Sequence, residues 1–179
     1  MLFAERRHVE KEKIFVPQVL SEKREYVTGG LLSSDILVIA PHMQVVGGQL
    51  FEFAILSSRL HHVWVATVCG RLKSDIRYSN LLGWNTFPVP TLTQKNKDDL
   101  TRCAANILLA REIHFPETVA SLYNPSGMPE NLRYAHEQND DVLERIYIGR
   151  RFKNNSERLE KLLDLYARLV RAQGGQVNE

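Results

Sequence analysis

The chain has 179 residues, is 44% hydrophobic and 25% charged, and carries 23 Lys and Arg against 21 Asp and Glu, for a formal net charge of +2. This length suits one moderate domain or two small ones, and the composition is too apolar for a disordered chain. So balanced a charge excludes a polybasic arm and strong nucleic-acid binding through bulk charge; such a partner has to be gripped by a local patch or by other parts of a larger machine. Cys69 and Cys103 are too few and too far apart for a disulfide framework or a zinc knuckle, and they read as reduced thiols in the core of a cytoplasmic protein. The opening MLFAERRHVEKEK has no apolar core of a signal peptide. The most apolar run, Leu50 to Leu56, is broken by Glu52 and too short for a bilayer, so no membrane partner is expected.

The first half reads as strands. Lys13 to Val19 (KIFVPQV) is rich in β-branched and aromatic residues, with Pro17 favouring an edge or a bend. Arg24 to Val27, then Gly29-Gly30 and Leu31-Leu32, suggests a strand entering a turn. Ile36 to Ala40 (ILVIA) is a continuous apolar run that predicts a buried strand. From Gln49 the period changes: Leu50, Phe53, Ala54, Ser57, Leu60, Trp64 and Val65 fall on one helical face. Gly70 stops that helix, and GRLKSDIRYS follows with period two, the signature of a strand. The stretch NTFPVP is extended, because a residue before proline is pushed from the helical region.

After Pro90 the pattern is helical. Thr93 is a candidate N-cap for a helix with Leu100, Ala104, Ile107 and Leu108 on its apolar stripe. A second helix has Pro129 in its first turn and runs through Leu132, Ala135, Leu143 and Tyr147 to Gly149. A third opens at NNSE, with Asn154 and Glu157 as a capping box, and places Leu159, Leu162, Leu163, Tyr166 and Leu169 on its stripe, of which Leu159, Leu163 and Tyr166 are expected in the core. The expected fold is α+β: a small β-rich part with a packed helix over residues 1–90, and an all-α part over residues 91–179. Ten cations and eight carboxylates fall before Pro90 and thirteen of each after it, so the small positive excess lies with the strands.

Few residues suggest catalysis. His61-His62 is the one histidine cluster, but neighbours on a helix point about 100° apart and cannot clamp one metal together. There is no H-E-x-x-H, no Cys pair at ligand spacing, no G-x-G-x-x-G, no P-loop and no nucleophile elbow. Asn124-Pro125 is followed by Ser126-Gly127, which is a turn and not the Asn-Pro-Pro-aromatic motif of amino methyltransferases. No catalytic residue, metal ligand or cofactor-binding residue is assigned.

GRLKSDIRYS is different. On one strand Arg71, Lys73, Asp75 and Arg77 share a face, and cations about 6–7 Å apart repel unless something anionic lies opposite. Such a set suits the edge of a base pair: Lys donates to guanine O6 and N7, Asp accepts from the cytosine amine, and Arg grips guanine or phosphate in a bidentate way. Tyr78 and Ser79 add candidate phosphate or base-edge contacts. The competing account is a solvated strand face.

The run ILSSRLHHVWVATVCGRLKSDIRYSNLLGWNTFPVP resembles the target-recognition region of MmeI-like (type IIL) enzymes, which fuse restriction and adenine methylation in one polypeptide. The resemblance continues through LTQKNKDDL, LARE and LYNPSGMPENLRYAHEQND into the last helix, and covers the chain from about Lys13 onward. It implies a partial DNA target-recognition domain over residues 1–90 and a C-terminal helical domain over residues 91–179. It points to Lys73, Asp75 and Arg77 as base-reading positions and supports the region near His42, just before the helix. The nuclease and the methyltransferase domain, with its S-adenosylmethionine site, have no counterpart in these residues. The implied partners are double-stranded DNA and the methyltransferase domain of a parent polypeptide, the parent being the enzyme and the cofactor S-adenosylmethionine belonging to it. Two rivals stand beside this reading. One is a protein-interaction module that docks a subunit through the charged strand and the C-terminal helices; the other is a stand-alone enzyme, which lacks any acid–base cluster.

Overall fold

A computed structural model of the protein describes residues 9–174. The opening segment before Val9 and the Gly175 end of the expected last helix lie outside the described residues. The fold is α+β, with two small antiparallel sheets in the first half and helices after them.

The expected strand over Lys13 to Val19 is cut in two at Pro17, which has no N–H to continue a ladder. Its halves are β1 (Lys13–Val16) and β2 (Val19–Leu20), and they serve different sheets. β1 is the centre of the first sheet, between β3 (Gly30–Leu32) and β4 (Met43–Val46). Ile14 stands opposite Leu31 on one side and Val45 on the other, and is fully buried. β2 is an edge of the second sheet, whose order is β2-β6-β5, with β5 at Gly70–Leu72 and β6 at Asp75–Arg77.

Three expectations fail in this half. Arg24 to Val27 makes no strand; Tyr26 and Val27 are buried from an irregular segment. Ile36 to Ala40 is an exposed loop, with Ile39 61% exposed. Its place in a ladder is taken by a buried cation: the Lys13 ammonium donates to the carbonyls of Ile36 (2.8 Å), Val9 (3.2 Å) and Ser34 (3.3 Å), which satisfies polar backbone that a strand partner would otherwise serve. The single helix expected from Gln49 is two, α1 (Leu50–Leu56) and α2 (Arg59–Val68). At the break, Ser58 Oγ donates to Ile55 O (2.6 Å) and accepts from His61 N (3.1 Å). Serine thus competes with the helical backbone and caps a new helix instead.

The helical half follows its signals more closely. Thr93 caps α3 (Gln94–Glu112), accepting from Asn96 N at 3.2 Å. A short α4 (Val119–Leu122) lies in the expected loop. Pro129 is the N-cap of α5 (Glu130–Ile148), which ends at Gly149 with φ 78°, the left-handed conformation glycine reaches without penalty. α6 (Asn155–Gly174) opens as expected, with Asn154 Oδ1 accepting from Glu157 N at 2.9 Å, but the Glu157 carboxylate reaches Lys153 N (2.6 Å) rather than closing the box. α3 packs between α1 and α5, and α6 lies on α2, so the core runs continuously through both halves. On α6 the fully buried leucine is Leu162; Leu163 is 45% exposed, and Leu159 and Tyr166 are half-buried, the latter tilted against Trp64 at 5.5 Å. The stripe is turned by one residue from the expected core set.

The helical half also holds the first by hydrogen bonds. From α5, His136 Nδ1 lies 3.1 Å from Ser57 O, Asn139 Nδ2 donates to Ala54 O (2.8 Å), and Asp140 Oδ1 accepts from Arg59 N (2.8 Å). The last carbonyls of α1 and the first amide of α2 are therefore met by three side chains at spacing i, i+3, i+4. His136 Nδ1 donates, because its only neighbour there is a carbonyl. Its Nε2 then accepts from the Tyr123 hydroxyl, whose oxygen takes two bonds from Arg111 (2.8 and 2.5 Å), and Arg111 also donates to Gly29 O (2.7 Å). Gly29 is required there: a Cβ would stand 2.9 Å from Leu56 Cδ2 and from Phe15 O.

Two predictions follow from this packing. Leu162→Asp should lower the unfolding free energy by about 3 kcal/mol or more, because it buries an unpaired carboxylate, whereas Leu163→Asp should stay within about 1 kcal/mol of the parent in urea titrations. Equal losses would mean that the stripe faces the other way. The second concerns pH. Burial lowers the imidazoles of His61 and His136 to about 3 and that of His62 to about 4, while burial raises the Asp140 carboxyl to about 7. Unfolded histidine titrates near 6.5, so each histidine contributes stability that is present above pH 6.5 and lost as pH falls toward its folded value. Asp140 runs the other way, its contribution being complete near pH 4 and lost as pH rises through 7. Three groups oppose one, so stability should fall on acidification between pH 6.5 and 4, by on the order of 2 kcal/mol per pH unit. Urea midpoints at pH 7.5, 6 and 5 that stay level would contradict this.

Candidate nucleic-acid interface

The stretch GRLKSDIRYS does not form one strand. It is a hairpin: β5, a two-residue turn at Lys73-Ser74, and β6, with Leu72 opposite Asp75, Arg71 opposite Ile76 and Gly70 opposite Arg77. A two-residue hairpin loop needs positive φ in its turn, and Lys73 supplies it at φ 56°. For an L-residue with a full side chain that conformation costs roughly 1–2 kcal/mol. Asn-Gly would have announced this turn; Lys-Ser does not, which is why period two read as an unbroken strand.

The turn redistributes the four charged residues. Residues opposite one another share a face, so Asp75 and Arg77 point outward with Leu72 and with Val19, which pairs with Arg77 from β2. The other face carries Ile76 and Leu20 into the core, each 1% exposed. Arg71 belongs to that inner side at the edge of the sheet. Its guanidinium folds back onto the turn and the preceding helix, donating to Ser74 O (3.0 Å) and Ala66 O (3.2 Å). It braces the hairpin instead of standing beside Asp75. Lys73 is at the tip. Among the described residues neither Lys73 nor Arg77, both exposed, has an ion pair or side-chain hydrogen bond. Asp75 Oδ1 accepts from Glu22 N at 3.2 Å, a loop–strand contact with no trace in the sequence pattern.

The remaining candidates divide. Tyr78 is 1% exposed, with its hydroxyl 3.1 Å from His61 Nε2, and burial pushes its phenol up. It is a core pillar and not a surface contact. Ser79 caps a π-helical turn over Asn80–Trp84, its Oγ accepting from Leu82 N at 3.4 Å; that turn packs tightly, since a Cβ on Gly83 would lie 3.0 Å from Val65 Cγ1. His42 is exposed just before β4, so a strand intervenes between it and the helix it was expected to precede. Its ring stands 5.1 Å from Phe15. Val16 pairs with Met43, and Val19, three residues later, with Arg77. Asn80 Nδ2 donates to Gln44 O at 3.4 Å. The loop of His42 is thereby brought to the base of the hairpin.

His61 is fully buried among Tyr78, Trp84 and Phe87, and Asn124 Oδ1 accepts from Ser126 N at 3.2 Å, closing the expected turn. Among the described residues no group of three His, Cys, Asp or Glu is placed to hold a metal ion, and no helix is long and apolar enough to cross a membrane. What the hairpin offers is recognition chemistry: an ammonium at the tip, a carboxylate acceptor next to it and a free guanidinium behind. A two-stranded β-ribbon is narrow enough to enter the major groove of B-form DNA, where such donors and acceptors meet base edges.

The family model described as MmeI, target recognition domain, matches residues 1–91, and the one described as MmeI, C-terminal domain, matches residues 92–172. Over 157 residues the chain is 41% identical to DNA methyltransferase A of Bacillus subtilis (strain 168), an alignment covering 88% of this chain and 18% of that protein. A solved structure of the type IIL restriction-modification enzyme MmeI in complex with DNA superposes with a TM-score of 0.87 at 28% identity, covering 91% of this chain and 22% of that one. The chain thus spans about a fifth of the length of these relatives. With its two halves matched in order by the two models, the chain belongs to the MmeI family, in the part that holds the target recognition and C-terminal domains.

Proposed function

We propose that this chain recognises a short sequence in double-stranded DNA on behalf of a restriction–modification methyltransferase that transfers a methyl group from S-adenosylmethionine to adenine. Residues 1–90 form the recognition unit and residues 91–179 the helical unit that supports it. The observation that carries this reading is the hairpin, where Lys73 at the tip and Arg77 at the far end of β6 stand exposed on either side of Asp75, with no ion pair among the described residues, in a chain matched by a target recognition domain. Lys73 donates to guanine O6 and N7 and Asp75 accepts from the amine of the paired cytosine. Arg77 takes a neighbouring purine or a phosphate, and Ser79 and His42 lie near the base of the hairpin. The methyl transfer itself belongs to another domain of a longer polypeptide, which flips its adenine out of the duplex.

The rival reading, a module that docks a protein subunit, draws on apolar residues exposed at the end of α3 and beyond it: Leu109, Ile113 and Phe115 are 57%, 73% and 85% exposed. The two readings differ in whether Lys73 and Asp75 set a base preference.

Selection of the chain against a randomised duplex pool tests this. The parent should enrich a motif with one G·C pair that depends on these side chains. Exchanging the charges, Lys73→Glu with Asp75→Arg, should move the preference at that pair by about 10- to 100-fold, the 1–3 kcal/mol of a good base contact. Lys73→Gly relaxes the turn rather than breaking it, so lost preference in a stably folded Lys73→Gly chain would report the ammonium alone. No enrichment by the parent, or a uniform loss with unchanged preference, would sink the reading.

A further inference from the structure

The hydrogen bond from Glu22 N to Asp75 Oδ1 (3.2 Å) joins the hairpin to a second turn. Ser21 to Arg24 closes with Arg24 N donating to Ser21 O (3.1 Å), and Lys23 N donates to Ser21 Oγ (3.4 Å). Its far end is tied to the helical half, where Arg24 Nη2 donates to Ala120 O at 3.3 Å. β2 is antiparallel to β6, with Leu20 opposite Ile76, so this turn and the Lys73-Ser74 turn emerge at the same end of the sheet. β6, into which the hairpin turn leads, is the direct neighbour of β2, one strand spacing or roughly 5 Å away. Lys23 is exposed and, among the described residues, makes no ion pair and no bond through its ammonium. Glu22 beside it is also exposed and offsets its charge, so the turn carries a net charge of only +1, that of Arg24, whose guanidinium is tied to Ala120 O. Whatever Lys23 does for a polyanion depends on where its ammonium is held, not on bulk attraction.

We infer that Asp75 has two tasks: one carboxylate oxygen faces the base pair, and the other latches the Ser21–Arg24 turn so that Lys23 grips a DNA phosphate beside that pair. The inference rests on the DNA-recognition reading above. It assigns a phosphate contact to a loop with no recognition signal of its own. It also means that base preference and phosphate grip share one side chain, so an exchange of Asp75 that removes both oxygens releases the turn as it alters specificity. Asp75→Asn separates the tasks: its amide oxygen still accepts from Glu22 N, while its NH₂ now presents a donor where the carboxylate presented an acceptor.

The test is the salt dependence of binding to a duplex of fixed mixed sequence, read by fluorescence anisotropy, alongside selection from the randomised pool. Each phosphate contact contributes about 0.9 to the slope of log K against log salt. Lys23→Ala should reduce the slope by about one contact and leave the enriched motif unchanged. Asp75→Ala should lose the same slope together with its base preference, and the double variant should lose no more slope than either single one. Asp75→Asn should keep the parent slope with an altered motif. A parent slope retained in Lys23→Ala, or in Asp75→Ala, would overturn the latch while leaving the base-reading role of the hairpin intact. A parent chain that binds no duplex at low salt would instead overturn the recognition reading itself, and the latch with it.

Discussion

The break between α1 and α2 is the constraint on which the rest of the structure depends. A helix ending in the interior leaves carbonyls unmet, and one beginning there leaves amides unmet; this chain ends one helix and begins another within three residues. α5 answers with His136, Asn139 and Asp140, which bond Ser57 O, Ala54 O and Arg59 N. An apolar interface tolerates sliding by a fraction of a turn. Three directed bonds to fixed backbone atoms do not, because each one missed leaves a buried polar group that costs on the order of 1–3 kcal/mol. The helical half therefore sets the register of the recognition half as well as covering it.

The same residue extends that register outward. Asp140 Oδ2 accepts from the Tyr26 hydroxyl at 3.0 Å, and Tyr26 stacks on His136 with ring centroids 4.0 Å apart. Tyr26 stands two residues beyond the Ser21–Arg24 turn, which meets Asp75 through Glu22 N. From the other side Tyr78, at the foot of β6, is held by His61 of α2, and Arg71 is tied to the last turn of the same helix. The hairpin tip is exposed, but both of its strands are anchored to the α1–α2 pair that α5 positions. On the proposed reading this anchoring matters, because a donor displaced by an ångström loses the bidentate geometry that distinguishes one base from another.

Local chemistry with a strong signature was legible in the sequence. Thr93 and Asn154 cap their helices, Gly149 ends α5 at φ 78°, and the residues quoted for the family resemblance lie in the matched part of the chain. What escaped was decided by partners distant in sequence. ILVIA has the composition of a buried strand, but the edge it needed is replaced by the Lys13 ammonium, 23 residues away from Ile36. The hairpin escaped because its turn is made by a lysine in a conformation that glycine or asparagine would advertise. The polar edge of α5 escaped although a signal existed. His136, Asn139, Asp140 and Glu144 fall on the same helical stripe as Leu132, Ala135, Leu143 and Tyr147, and all eight are buried. Polar residues that keep the phase of an apolar stripe are side chains with buried partners, and that phase can be read from one sequence.

The charge distribution explains how a chain of net charge +2 can still suit a polyanion. In the helical half several arginines are matched internally: Arg145 and Arg151 to Asp141, Arg150 to Glu157, Arg158 to Glu144, and Arg168 to Asp164. Among the described residues Lys23 and Lys73, at one end of the second sheet, and Arg77, at the other end of β6, have no such partners. With a screening length near 8 Å at physiological salt, a distant phosphate sees a nearly neutral body, whereas one within a few ångströms of the hairpin meets cations without carboxylate partners. On the proposed reading, this trades long-range attraction, which is blind to sequence, for short-range contact at the point where bases are discriminated. The carboxylate set among those cations serves the same end. It lowers the local charge and so weakens the grip on any backbone, yet it is the group that can accept from a cytosine amine. A surface selected only for affinity to DNA would have no reason to keep it.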